Sequence, residues 1–129
     1  MTSAARRWIV PDGWMPEAGD GPVPGHEAVC LVNLGDRDAD VRLTVLFEDA
    51  EPLVVTGLRC AAQRTRHVRL DLADEMGGTP LPTQTPYALV VDATQPVYVQ
   101  HTRVDPRPVA LMTTMAVAAD DSADAGAGA

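Results

Sequence analysis

The feature that most constrains the fold of this 129-residue chain is the placing of its prolines and glycines. Eleven prolines and ten glycines fall almost wholly between short runs rich in β-branched residues. Such punctuation breaks helices and bounds strands. The runs recur every ten to fifteen residues, at 7–10, 28–34, 40–48, 54–61, 65–70, 88–92, 97–103 and 111–118. The third alternates most cleanly. Val41, Leu43, Val45 and Phe47 stand against Arg42, Thr44 and Glu48, the period of a strand with one buried face. Eight short strands without a repeat predict an all-β protein, an antiparallel β-sandwich of jelly-roll-like form. The segment 33–38 reads as a hairpin loop, while 11–25 and 74–86 read as irregular excursions.

Length sets the domain organisation. One core suits 129 residues, so 1–118 is expected to form a single domain. The remainder, 119–129, is Ala, Gly, Asp and Ser and offers nothing to bury, so a flexible tail is expected. No apolar stretch is long enough to span a bilayer, and the N-terminal arginines lack the apolar core of a signal peptide behind them. A soluble, cytoplasmic protein is expected.

What the chain lacks narrows its chemistry. Every basic residue is arginine, so there is no Walker A lysine and no Schiff-base chemistry. The two serines, Ser3 and Ser122, sit near the ends, where no serine-hydrolase nucleophile belongs. A net charge of −8 and few aromatic rings oppose nucleic-acid binding. Cys30 and Cys60 form no C-x-x-C pair, and Cys30, inside an apolar run, is expected to be a buried, inert thiol. Asp36-x-Asp38-x-Asp40 lacks both the glycine and the bidentate glutamate of a calcium loop. Neither a metal nor another cofactor is expected.

The polar residues worth following are three histidines on three different predicted strands, each with charged company: His26 beside Glu27, His67 among arginines, and His101 two residues before Arg103. Alternation puts His101 and Arg103 on the same face as Val97 and Val99, so this strand face turns from apolar to charged along its length. A charge on a core-side face is costly unless paired, and Glu27 and Asp105 are the candidate partners for Arg103. A strand merely reaching the sandwich rim, histidines facing solvent, or an enzyme using the His/Glu/Arg set for acid–base work are the alternatives. A nucleic-acid-binding regulator is another.

Four stretches carry a family resemblance: Gly21-Pro22, His26-Glu27-x-Val29-Cys30-x-x-Asn33-x-Gly35-Asp36, Arg64-Thr65-x-His67-Val68-Arg69, and Val99-Gln100-His101-Thr102-Arg103-x-Asp105. Spread over residues 7–118, they resemble the sensory rhodopsin transducer family, whose type member is the soluble partner of a cyanobacterial sensory rhodopsin. The loop Met76-Gly77-Gly78-Thr79 departs from the pattern. The resemblance implies a β-sandwich, a cyclic homotetramer, and a non-enzymatic signalling role. A membrane-embedded sensory rhodopsin or another signalling protein would be its partner. It further implies a pocket for a small polar metabolite such as a sugar. Carried across, the ligand-binding residues are His26, Glu27, His67, His101 and Arg103, with Trp8 matching an early family tryptophan and closing the pocket. No catalytic residue is implied.

Overall fold

The computed structural model describes residues 3–107 and 109–119, so most of the Ala/Gly/Asp tail lies outside the described residues. The strands are β1 (Ala5–Trp14), β2 (His26–Asn33), β3 (Ala39–Phe47), β4 (Leu53–Cys60), β5 (Arg64–Arg69), β6 (Pro86–Pro106), β7 (Val109–Met115) and β8 (Val117–Ala118). A 3-10 turn at Ala73–Met76 is the one helical element among them. All strand pairings are antiparallel.

The strands form two layers that share β6. One sheet runs β4-β3-β6-β1-β8 and the other β5-β2-β6-β7. The first half of β6 pairs with β1 and β3, the second half with β2 and β7. The changeover falls at residues 93–96, where the register against β1 slips and Pro96 cannot donate to a ladder. The runs expected at 88–92 and 97–103 are thus one element that passes from sheet to sheet. Period-two alternation fills the space between the layers. Val29 and Leu31 face Val41, Leu43, Val45, Leu89, Val91, Val97 and Val99 in one core. Trp8 is its largest buried side chain.

Four local expectations need correction. Residues 33–38 are not a hairpin, because β2 and β3 lie in different sheets and do not pair with each other. The connection is an arch instead. Buried Asn33 fixes it by donating to the carbonyls of Arg37 (2.8 Å) and Cys60 (3.1 Å) and accepting from the Gly35 amide (2.9 Å). The run at 111–118 is divided at Ala116, so that β7 pairs with β6 in one sheet and β8 with β1 in the other. Cys30 is half-buried rather than buried, since alternation turns it to the outside of its sheet, opposite His67. β1 also runs on past Val10 to Trp14, through a register shift between Val10 and Gly13.

The excursion at 74–86 is anchored rather than loose. Met76 and Leu81 are buried, the Gln84 amide donates to the Met15 carbonyl, and Gly77 ends the 3-10 turn in the left-handed region. Among the described residues no helix is long and apolar enough to cross a membrane.

Candidate functional site

The polar centre of the molecule is the carboxylate of Glu27, on the inward face of β2 near the start of the strand. Glu27 is 0 % and His101 1 % exposed. An unpaired charge so deep would be costly, and four groups converge on this one. Arg103 Nε donates to Oε2 at 2.9 Å. The Tyr87 hydroxyl donates to Oε1. The Trp14 backbone N–H donates to both oxygens, each at 3.2 Å. His101 Nε2 lies 3.0 Å from Oε2, at ion-pair distance but outside the alignment of a good hydrogen bond. The other ring nitrogen, Nδ1, is buried and has no hydrogen-bond partner among the described residues.

Strand register explains the convergence. Glu27 stands opposite Arg103, and Val29 opposite His101, so the three polar side chains are neighbours on one inward face. Tyr87 and Trp14 come from the other sheet, where they sit next to each other at the ends of β6 and β1. The Tyr87 ring occupies the space beside Gly13, where a Cβ would fall 2.3 Å from a ring carbon. The cluster therefore ties the two sheets together at one end of the sandwich.

Burial pushes the Glu27 carboxyl up, but His101, Tyr87 and Arg103 outweigh it and hold the group below the ordinary glutamate value. Burial and the Glu27 charge both push the Tyr87 phenol far up, so it stays a donor. A covered carboxylate with saturated oxygens is a poor base, because its lone pairs are already engaged. Its chemistry is that of a fixed acceptor. Only at the rim does the cluster meet solvent. The Arg103 side chain is 16 % exposed, and one of its terminal nitrogens donates to the Asp12 carbonyl at 2.8 Å. The Asp12 carboxylate, 79 % exposed, lies 3.5 Å from the same nitrogen.

Of the six residues singled out from the sequence, the fold brings together Glu27, His101 and Arg103. It does not bring the other three to them, so no single pocket is lined by all six. His26 and His67 face outwards, as the alternation around Glu27 and Val68 requires. The His26 ring contacts the Pro24 carbonyl at 2.8 Å, and His67 borders a hollow on the outer face of the second sheet. Trp8 is wholly buried, with its indole N–H shared between the Ala5 (3.0 Å) and Val97 (2.9 Å) carbonyls, and offers no ring face to solvent. Asp105 pairs with Arg107 instead of Arg103. Sequence reasoning missed Tyr87, Trp14 and Asp12. For Tyr87 there was a signal: a tyrosine at the start of an apolar run, once buried, needs an acceptor for its hydroxyl.

Solved structures resemble this one closely. The crystal structure of Thermotoga maritima 1070 is 33% identical, with a TM-score of 0.80 over 92% of this chain and 98% of that one. The Anabaena sensory rhodopsin transducer is 38% identical, with a TM-score of 0.68 over 83% of this chain and 94% of that one. No curated protein matches the chain significantly. The family model described as Anabaena sensory rhodopsin transducer matches residues 3–118, the whole β-sandwich, and the chain belongs to that family.

Proposed function

We propose that this protein is a non-enzymatic signalling module of the transducer type. It assembles as a homotetramer in the cytoplasm, binds a small polar metabolite such as a sugar, and relays the signal to a protein partner, a membrane-embedded sensory rhodopsin or another signalling protein. One observation carries the reading. The charged residues that could have served acid–base catalysis are covered and committed to joining the two sheets. The part left for a ligand is the Arg103–Asp12 rim, a directional donor beside an exposed acceptor. A hydroxyl- or carboxylate-bearing ligand that drew Arg103 towards itself would loosen its hold on Glu27. Binding outside would thereby alter the tie between the sheets.

A thermal-shift screen against neutral sugars and sugar acids tests this. A ligand at a hundred times its dissociation constant should stabilise the fold by about 2.7 kcal/mol. Arg103→Ala should abolish the shift. Asp12→Asn, at an exposed position that leaves the cluster itself intact, should reduce it. If no ligand in the panel acts, or if both variants respond like the parent, the rim is not the site.

A further inference from the structure

Where β3 runs out of the core at Phe47, the β3–β4 turn and the 79–86 excursion border a hollow of about 520 Å³. Phe47 stands opposite Tyr87, so this is the end of the sandwich that the Glu27 cluster ties. The hollow nevertheless shares no lining residue with the Arg103–Asp12 rim. Its walls are mostly apolar. Phe47 and Leu53 are half-buried and pack on the core, and the exposed rings of Pro80, Pro82 and Pro86 complete the lining. Two carboxylates, Glu48 and Asp49, stand at the turn, and no basic side chain joins them in the lining. Among the described residues neither has an ion-pair partner, whereas Asp38, Asp40, Asp71, Asp92 and Asp105 each meet an arginine. The excursion is held in place before anything binds. The Gln84 amide donates to the Met15 carbonyl at 2.8 Å, the Thr85 hydroxyl donates to the Thr83 carbonyl at 3.0 Å, and Leu81 is buried. A wall already fixed spares a ligand the ordering cost.

We propose that this hollow binds a small aromatic amine in its protonated form, its ring against Phe47 and the prolines and its ammonium at Glu48 and Asp49. Size and lining suit such a molecule. Small-molecule sites run from about 300 to 1,000 Å³ and are mainly apolar, with a few polar groups that fix orientation. The two unpaired carboxylates set the sign of the ligand, attracting a cation and repelling an anion. The walls set its body. Proline rings are rigid, lose no rotamer freedom on contact, and pack well on aromatic faces, as in the docking of proline-rich segments to aromatic-lined grooves. The Phe47 ring adds an offset or edge contact. This site is independent of the rim and of what binds there.

The full chain, carrying carbon-13-labelled phenylalanine, should be titrated with phenethylamine at about pH 7, where an alkylamine is protonated. Phe47 is the only phenylalanine, so its ring signals report this hollow alone. They should shift saturably and show nuclear Overhauser contacts to the ligand ring. Phenylethanol, with the same ring and no charge, should bind at least about fivefold more weakly. Phenylacetate should leave the signals unmoved. Glu48→Gln combined with Asp49→Asn, at two exposed positions outside the core, should lower the affinity for the amine to that for the alcohol. The proposal is overturned if the amine leaves the Phe47 signals unmoved, or if the alcohol or the acid binds as tightly as the amine. It is also overturned if the double variant binds the amine as the parent does, for the attraction would then come from the net charge of −8 and not from these carboxylates.

Discussion

At the scale of single residues the molecule turns on Glu27. Removing one donor from a buried carboxylate forfeits a charge-assisted hydrogen bond, worth about 1.5–3 kcal/mol. Tyr87→Phe should therefore lower the melting temperature by roughly 6–12 °C, taking about 4 °C per kcal/mol for a domain this size. Glu27→Ala should cost more, about 3–5 kcal/mol, because it strands the Arg103 guanidinium. The pH dependence has a definite sign. A carboxyl held below its ordinary value of 4.5 contributes stability that is complete above that value and is lost as pH falls through the lowered one. The difference in urea midpoint between the parent and Glu27→Gln should be constant from pH 5 upward and shrink below about 4.5; a difference that stays flat into acid would show that the carboxylate is not held as described. The Arg103–Glu27 pair was legible in the sequence, since a charge on a core-side face demands a partner. The outward turn of His67 was legible as well, from Val68 beside it, but grouping the histidines by chemical type obscured their parity. Trp14 was not, because its approach depends on how β6 bends, and Tyr87 signalled only that its hydroxyl needs an acceptor, not which one.

Elements were read well from periodicity and poorly from connection. Alternation marks a strand and its buried face, yet it does not say which strand lies alongside. Hence the alternation of 40–48 marks the correct inward residues, while nothing in the sequence tells the β2–β3 arch from a hairpin. A polar six-residue stretch serves either purpose, and the deciding contacts come from Asn33 and the distant Cys60 carbonyl. The extension of β1 was hidden by Pro11 and Gly13, which read as turn residues but here accompany a shift of register. Gly13 shows what that irregularity is for. With no room for a Cβ against the Tyr87 ring, Gly13→Ala must displace the ring and so its hydroxyl. The substitution should destabilise by about 1–3 kcal/mol. Combined with Tyr87→Phe it should be less than additive, since both lose the same bond. Full additivity in a double-mutant cycle of urea melts would separate the glycine from the cluster.

For the whole molecule, β6 makes the two layers one cooperative body. Each sheet contains half of it in an interior position, so one continuous strand runs through the middle of both. Calorimetry should show a single unfolding transition with matching calorimetric and van't Hoff enthalpies; two resolved transitions would mean the layers melt apart. Assembly belongs at this scale too. On the outer face of the first sheet, Leu46 and Val54 are exposed on the neighbouring strands β3 and β4. Light scattering should report a tetramer for the parent and a smaller species for Leu46→Glu with Val54→Glu. An unchanged tetramer would place the interface elsewhere. The mixed polarity of the 40–48 run already marks Leu46 as an exposed apolar side chain, whereas Val54 joins that patch only through strand pairing.

Tyr87 and Arg103 belong to the same strand, sixteen residues apart. Drawn straight, that length of β-chain would reach about 50 Å, yet both side chains grip one carboxylate. β6 is thus a hairpin-shaped clip folded around the core, and Glu27 is its clasp. In effect the chain closes a covalent-style loop without a covalent bond. In a chain whose two cysteines are both free, the clasp takes the place of a disulfide. A cross-link of that span would be worth about 3 kcal/mol in loop entropy. A disulfide would open to reductant, whereas this closure is indifferent to redox state and opens to acid.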